Sequence, residues 1–169
     1  ELSPRGDLNI PAVYVKGWYI EAIDVAASEL VYEGFQNLRN LEFLKHLDVS
    51  YCRNLDVWCF DRLTGENMAT LEYLDISGCV KLDWNALELL WRLSNLKTLV
   101  MKDMDHVKDL TLICLMLLDV NPKLKIIGVD YIDKTLLEGT EYLQLLTDEE
   151  AFLSIESGEP HHQQFTQKN

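Results

Sequence analysis

Three segments of this chain repeat a single pattern, and that repetition constrains its fold more than any other feature. They are Leu44-Lys-His-Leu47-Asp-Val49-Ser-Tyr-Cys52-Arg-Asn-Leu55, Leu71-Glu-Tyr-Leu74-Asp-Ile76-Ser-Gly-Cys79-Val-Lys-Leu82 and Leu96-Lys-Thr-Leu99-Val-Met101-Lys-Asp-Met104-Asp-His-Val107, beginning 27 and 25 residues apart. Each has apolar residues at its first, fourth, sixth and twelfth positions. The ninth is Cys52, Cys79 and then Met104. A weaker copy precedes them (Ile20, Ile23, Val25, with Ser28 at the ninth position and Val31 closing). A partial one follows as Leu124, Ile127 and Val129. The fourth and sixth positions alternate with period two, so each copy predicts a short strand with one face inward. A strand that short is unstable alone and must stack on its neighbours.

The spacing is that of the leucine-rich repeat, with the ninth-position side chain turned inward as the chain leaves the strand. Between strands the apolar period lengthens to that of a helix. Asp56 and Asp83 are placed to cap the following helices, with Trp58, Cys59 and Leu63, or Ala86, Leu87 and Leu90, on the inner faces. The expected fold is α/β, a short solenoid of about five strand–helix repeats with a parallel concave sheet and convex helices. Residues 1–16, with Pro4, Gly6 and Pro11, read as an extended lead-in, and 17–132 as the repeat domain. Residues 133–169 form an acidic C-terminal extension, partly disordered unless docked. It carries 2 basic and 8 acidic residues, and its end cannot bury enough apolar surface to fold alone.

The repeat register also assigns the outward side chains. One row reads Glu21, Lys45, Glu72, Lys97 and Lys125, largely a ladder of cross-strand ion pairs. The next reads Ala22, His46, Tyr73, Thr98 and Ile126. A third reads Asp24, Asp48 and Asp75, then Val100 and Gly128, with no basic residue among them. Like charges at strand spacing repel, so Asp24, His46, Asp48, Tyr73 and Asp75 are the candidate partner-binding surface. The plainer alternative is a solvated acidic strand face, relieved diagonally by Lys45 or His46. Cys52 and Cys79 read as structural repeat positions.

The remaining composition excludes more than it assigns. The formal net charge is −13 over 169 residues, which argues against a nucleic-acid binder and against simple docking to anionic lipid. No apolar run approaches a membrane span, so no transmembrane segment is expected. Four cysteines without any C-x-x-C indicate a reducing compartment and no zinc site. There is no phosphate-cradling glycine loop and no G-x-S-x-G elbow. We therefore expect neither an enzyme nor a cofactor, a bound metal or a catalytic residue. His161-His162 sits in a tail of solvated composition, and Trp18, Trp58, Trp84 and Trp91 are expected to pack the repeat edges. The chain begins at Glu1 rather than Met, which reads as processing or trimming, with any removed targeting segment out of view.

Four segments go beyond the general repeat: Gly17-Trp-Tyr-Ile-Glu-Ala-Ile-Asp-Val-Ala, Tyr51-Cys-Arg-Asn-Leu-Asp-Val-Trp-Cys-Phe-Asp-Arg-Leu, Asp75-Ile-Ser-Gly-Cys and Ile127-Gly-Val-Asp-Tyr. Over roughly residues 17–132 the chain resembles the small mitochondrial family of factor B-like leucine-rich repeat proteins. That family includes ATP synthase subunit s and the assembly components of the distal membrane arm of respiratory complex I. The Trp58-Cys59 pair and the Gly-Val-Asp-aromatic close are more like the assembly branch. Factor B has a Cys-x-Cys pair linked to thiol sensitivity, where this chain has Ser50-Tyr51-Cys52. The resemblance implies a non-catalytic protein-binding scaffold on the matrix side of the inner membrane, attached peripherally through its partners. Those partners would be subunits or assembly factors of the complex I membrane arm. The alternatives are a factor B-like accessory protein of ATP synthase and a leucine-rich repeat substrate adaptor of a ubiquitin ligase. The chain shows no F-box to favour the last.

Overall fold

The computed structural model describes residues 19–38, 41–65, 68–129 and 155–156. The elements run β1 (Ala22–Asp24), α1 (Tyr32–Leu38), β2 (His46–Asp48), α2 (Val57–Leu63), β3 (Tyr73–Asp75) and α3 (Trp84–Glu88), which tightens into a 3₁₀ turn at Leu89–Arg92. β4 (Thr98–Val100), α4 (Leu110–Val120), β5 (Lys125–Ile127) and β6 (Ile155–Glu156) follow. The strands form one sheet in chain order, β1 to β6, and every neighbouring pair is parallel. The chain is thus α/β: each three-residue strand gains its hydrogen bonds only from its neighbours, and the helices of the crossovers cover one face.

The core lies between sheet and helices. Leu47, Leu74, Leu99 and Ile126 occupy the middle of successive strands and are fully buried. Phe35, Phe60, Leu63, Leu87 and Leu118 close it from the helical side. Asp56 and Asp83 cap as expected: their carboxylates accept from the amides of Cys59 at 3.0 Å and Ala86 at 3.1 Å. Side-chain bonds tie consecutive units at both strand ends. At the entry, Thr70 Oγ1 donates to the Leu44 carbonyl at 2.8 Å and Asn121 Nδ2 to that of Leu96 at 2.6 Å. At the exit, Cys52 Sγ donates to the Val25 carbonyl at 3.3 Å and Cys79 Sγ to that of Val49 at 3.2 Å. The ninth-position thiols therefore bind each unit to the one before it. Ser28 meets Cys52 Sγ at 3.4 Å from the equivalent place in the first unit.

Three expectations need correction. The fifth strand is displaced by one residue: Lys125, not Ile126, pairs with Thr98, and Ile127, not Gly128, pairs with Val100. Elsewhere two successive amides, such as Lys97 and Thr98, donate to one carbonyl, that of Glu72. Here Lys125 alone donates to the Lys97 carbonyl. The fifth unit has lost one residue at that point, so Leu124 and Ile126 enter the core where Leu124 and Ile127 were expected. Second, Trp58 does not face inward. It is 73% exposed, because Cys59, Phe60 and Leu63 already supply the inner stripe of α2. Trp91 is 56% exposed, so it too is only partly packed, and Trp18 lies outside the described residues. Third, no strand was expected in the C-terminal extension, yet Ile155–Glu156 pairs with β5 and covers its open edge. The lead-in over 1–16 and the rest of the extension, with His161-His162, lie outside the described residues.

Candidate functional site: the open face of the sheet

The face of the sheet turned away from the helices carries the candidate residues. The register stacks Ala22, His46, Tyr73, Thr98 and Lys125 in one row, and Asp24, Asp48, Asp75, Val100 and Ile127 in another. All five candidates, Asp24, His46, Asp48, Tyr73 and Asp75, are thus on three adjacent strands. Parallel pairing sets such neighbours about 4.8 Å apart. In the first row the His46 and Tyr73 rings stack face to face, with centroids 3.8 Å apart and planes at 9°. A stack of this sort is worth roughly 0.5–1.5 kcal/mol beyond the area it buries. Next to it, Lys45 meets Glu21 at 2.7 Å and Lys97 meets Glu72 at 2.8 Å, the expected cross-strand ladder. Glu21 holds the Lys45 ammonium above its ordinary range, and the Lys97 bond holds the Glu72 carboxyl below its own.

The aspartate row is answered partly from within. Each carboxylate accepts from the amide two residues on, Asp24 from Ala26, Asp48 from Ser50 and Asp75 from Ser77, all at 2.9 Å. These are Asx turns. They end the strand and lead into a residue with positive φ: Ala27 at 53°, Tyr51 at 57° and Gly78 at 61°. Each carboxylate uses its Oδ1 in that turn. Burial rises along the row, from exposed Asp24 to half-buried Asp48 and Asp75 and then to Val100 at 4%. Burial pushes the Asp75 carboxyl above its usual range. The Ser77 bonds counter this, Asp48 reinforces it, and Lys102 opposes it. Burial, with Asp75 and Asp48 adding repulsion, likewise drives the Tyr73 hydroxyl up to about 12. The face therefore presents neutral Tyr73 stacked on His46, beside closely spaced carboxylates.

The turns beyond the strands belong to the same surface. The Tyr51 ring lies over Gly78, where an added Cβ would clash with its Cδ1 and Cε1. The Tyr51 hydroxyl donates to Asp103, a bond that raises the phenol to about 12, helped by burial. The aromatic ring above it is what requires Gly78, since Ala27 and Tyr51 hold nearly the same left-handed angle at the equivalent turns. Neither Gly78 nor Tyr51 was singled out from the sequence, although a Gly directly before the ninth-position Cys was a visible departure from the first repeat. Cys52 and Cys79, placed in the repeat framework, are fully buried and free, as is Cys114. Cys59 is 3% exposed. Burial raises all four thiols, Cys59 to about 11 and Cys79 and Cys114 to about 12. None is poised as a nucleophile. Among the described residues, no group of three His, Cys, Asp or Glu side chains could hold a metal ion, and no helix is long and apolar enough to cross a membrane.

Comparison with known proteins supports the resemblance carried by the sequence segments. The chain is 37% identical over 130 residues to "Distal membrane arm assembly component 2" of Drosophila melanogaster, covering 77% of this chain and 45% of that protein. The expected resemblance holds. It is also 30% identical over 103 residues to "ATP synthase subunit s, mitochondrial" of Rattus norvegicus, covering 60% of this chain and 52% of that protein. The chain spans about half the length of these curated relatives. No protein-family model matches it.

Proposed function

We propose that this chain is a non-catalytic protein-binding scaffold that assists assembly of the distal membrane arm of mitochondrial respiratory complex I. Its parallel sheet and covering helices are the arc of a leucine-rich repeat solenoid, with the open face of the sheet as the concave surface. The observation that carries this reading is the 37% identity to a distal membrane arm assembly component over 77% of the chain. Burial of all four thiols and the built-in use of the aspartates in turns fit a platform rather than a reaction centre. The protein works on the matrix side of the inner membrane, held there by its partners. The surface formed by His46, Tyr73, Asp48 and Asp75 suits a partner that offers Lys or Arg beside an aromatic or apolar patch.

Complexome profiling of cells lacking the protein tests the reading. Unfinished distal-arm intermediates with normal ATP synthase support it; intact complex I refutes it. The open face is tested separately with Asp48→Asn and Asp75→Asn together. Asn removes charge but can still accept the turn amides, whereas Lys would break the turns as well. The double variant is expected to fold normally and to bind the assembly intermediate less tightly. The 30% identity to ATP synthase subunit s favours a second reading, an accessory role at ATP synthase. Ser50 stands where the factor B thiol pair would begin, so a dithiol-dependent version of that role has lost one sulfur. Co-migration with ATP synthase would select it.

A further inference from the structure

The helices differ in how they meet one another. Between α1 and α2, Arg62 Nε donates to the Tyr32 hydroxyl at 2.9 Å. Between α2 and the 3₁₀ turn, Arg92 pairs with Asp61 at 2.7 Å. The seam between α3 and α4 is instead an open apolar groove of about 180 Å³. One wall carries Trp84, Leu87 and Trp91, the other Met116, Leu117 and Val120, and among the described residues Glu88 is the one charged residue in the lining. A smaller, more enclosed depression shares Trp91, Leu117 and Val120 and carries the apolar surface on toward Leu124. Trp91 and Val120 remain 56% and 59% exposed. Contiguous apolar surface of this sort, unlike scattered exposed residues, marks an interaction site. It lies on the opposite side of the molecule from the aspartate row.

We propose that this groove docks an amphipathic helix from a partner protein, with apolar anchors at i, i+3, i+4 and i+7 and a basic flank. The walls themselves are helical stripes of that spacing, the surface that receives a helix in a groove. The volume exceeds that of a cavity of roughly 150 Å³ known to hold a benzene ring, so it accepts a large apolar anchor. Charge selects the flank. Glu88 is in the lining, and the chain as a whole carries −13. The chain's own C-terminal extension has apolar residues to offer (Leu136, Leu143, Leu146), but its 8 acidic and 2 basic residues repel the same charge. A second copy brings the same −13. A basic partner helix is therefore the occupant that the electrostatics favour.

The test uses the full chain and two synthetic helical peptides sharing one leucine pattern, one with lysines and the other with glutamates on the polar face. Calorimetric titration at low salt is expected to show the lysine peptide binding more tightly. Val120→Asp, at an exposed position, should weaken it about tenfold or more by placing an unpaired charge in the groove. Glu88→Lys should shift the preference toward the glutamate peptide. Asp48→Asn with Asp75→Asn, on the opposite face, should change the affinities far less than Glu88→Lys does, which separates this groove from the open face. Equal binding of the two peptides, or wild-type binding by Val120→Asp, overturns the proposal. So does binding only after Leu136, Leu143 and Leu146 are changed to Ser in the full chain, which would make the chain's own tail the occupant. Self-association abolished by Val120→Asp would assign the groove to a second copy and overturn it equally.

Discussion

Replacing Cys79 tests the repeat architecture at its most sensitive point. The thiol is fully buried and donates to the Val49 carbonyl, which also accepts from the Cys52 amide at 3.2 Å. Cys79→Ser keeps the size and the donor, and exchanges a soft group for a more polar one that still has a partner. Its expected cost is about 1 kcal/mol. Cys79→Asp puts a carboxylate where the nearest polar atom is a carbonyl oxygen, with Asp75 close enough to add repulsion. An uncompensated buried charge costs about 3–5 kcal/mol, against a typical domain stability of roughly 5–15 kcal/mol. The variant can reduce that cost by staying protonated, when its hydroxyl can donate to Val49. Its folded pKa would then lie above the unfolded value of about 3.9, so the penalty is smallest near or below that pH. It then grows by about 1.4 kcal/mol per pH unit until the folded pKa is reached. Urea denaturation followed by circular dichroism at pH 4 and pH 7 reads this directly. We expect Asp to be much worse than Ser at pH 7 and the gap to narrow at pH 4. A Cys79→Asp protein within 1 kcal/mol of the parent at pH 7 would refute the buried donor geometry. So would rapid thiol labelling of the native protein.

The two kinds of aspartate should show opposite pH signatures. Burial raises Asp56 too, but bonds from the Cys59 amide and its neighbours outweigh this and hold it below the usual range. Its contribution is therefore present above the unfolded pKa and lost as pH falls through the folded one, and Asp56→Ala should cost about 1 kcal/mol at neutral pH and less in acid. Asp75 lies above the usual range, so the stability linked to its protonation is present below the unfolded pKa and lost as pH rises through the folded one. Asp75→Asn should accordingly raise the neutral-pH melting temperature, with no gain below the unfolded pKa; a lower melting temperature at pH 7 would contradict this. Gly78→Ala must hold a left-handed backbone and displace the Tyr51 ring, so a loss of at least about 1–2 kcal/mol is expected in the same denaturation assay. Tyr51→Phe removes the bond to Asp103 and should lower the titration midpoint of no other tyrosine, which ultraviolet difference spectra at alkaline pH would check.

What could be read from the sequence was what repeats with fixed spacing. Leu47 and Val49, Leu74 and Ile76, and Leu99 and Met101 announce strands because a period-two pair recurs at a regular interval, and all six are buried. The fifth strand escaped that logic because Ile126 and Ile127 are both β-branched and apolar. Composition cannot say which of them enters the core. The missing residue is visible only in the backbone, where a single amide of Lys125 replaces the usual pair. Trp58 escaped for a related reason, since an aromatic residue beside a helix's inner stripe reads as core until its neighbours are seen to fill that space.

The aspartates are the instructive case. The repeat spacing aligns them, but side chains are only part of what answers their charge: the turn amides two residues on donate to each carboxylate. The signal was present locally, as Asp-x-Ser at Asp48 and Asp75 followed by a residue of positive φ. A carboxylate that builds its own turn still carries a charge that a partner can meet, so structural and binding roles overlap in the same group. Substitutions that destroy both roles cannot tell them apart. Asn, which can keep the acceptor while losing the charge, can: a fold that survives with weakened association assigns the charge to the partner, and unchanged association assigns the whole row to the turns.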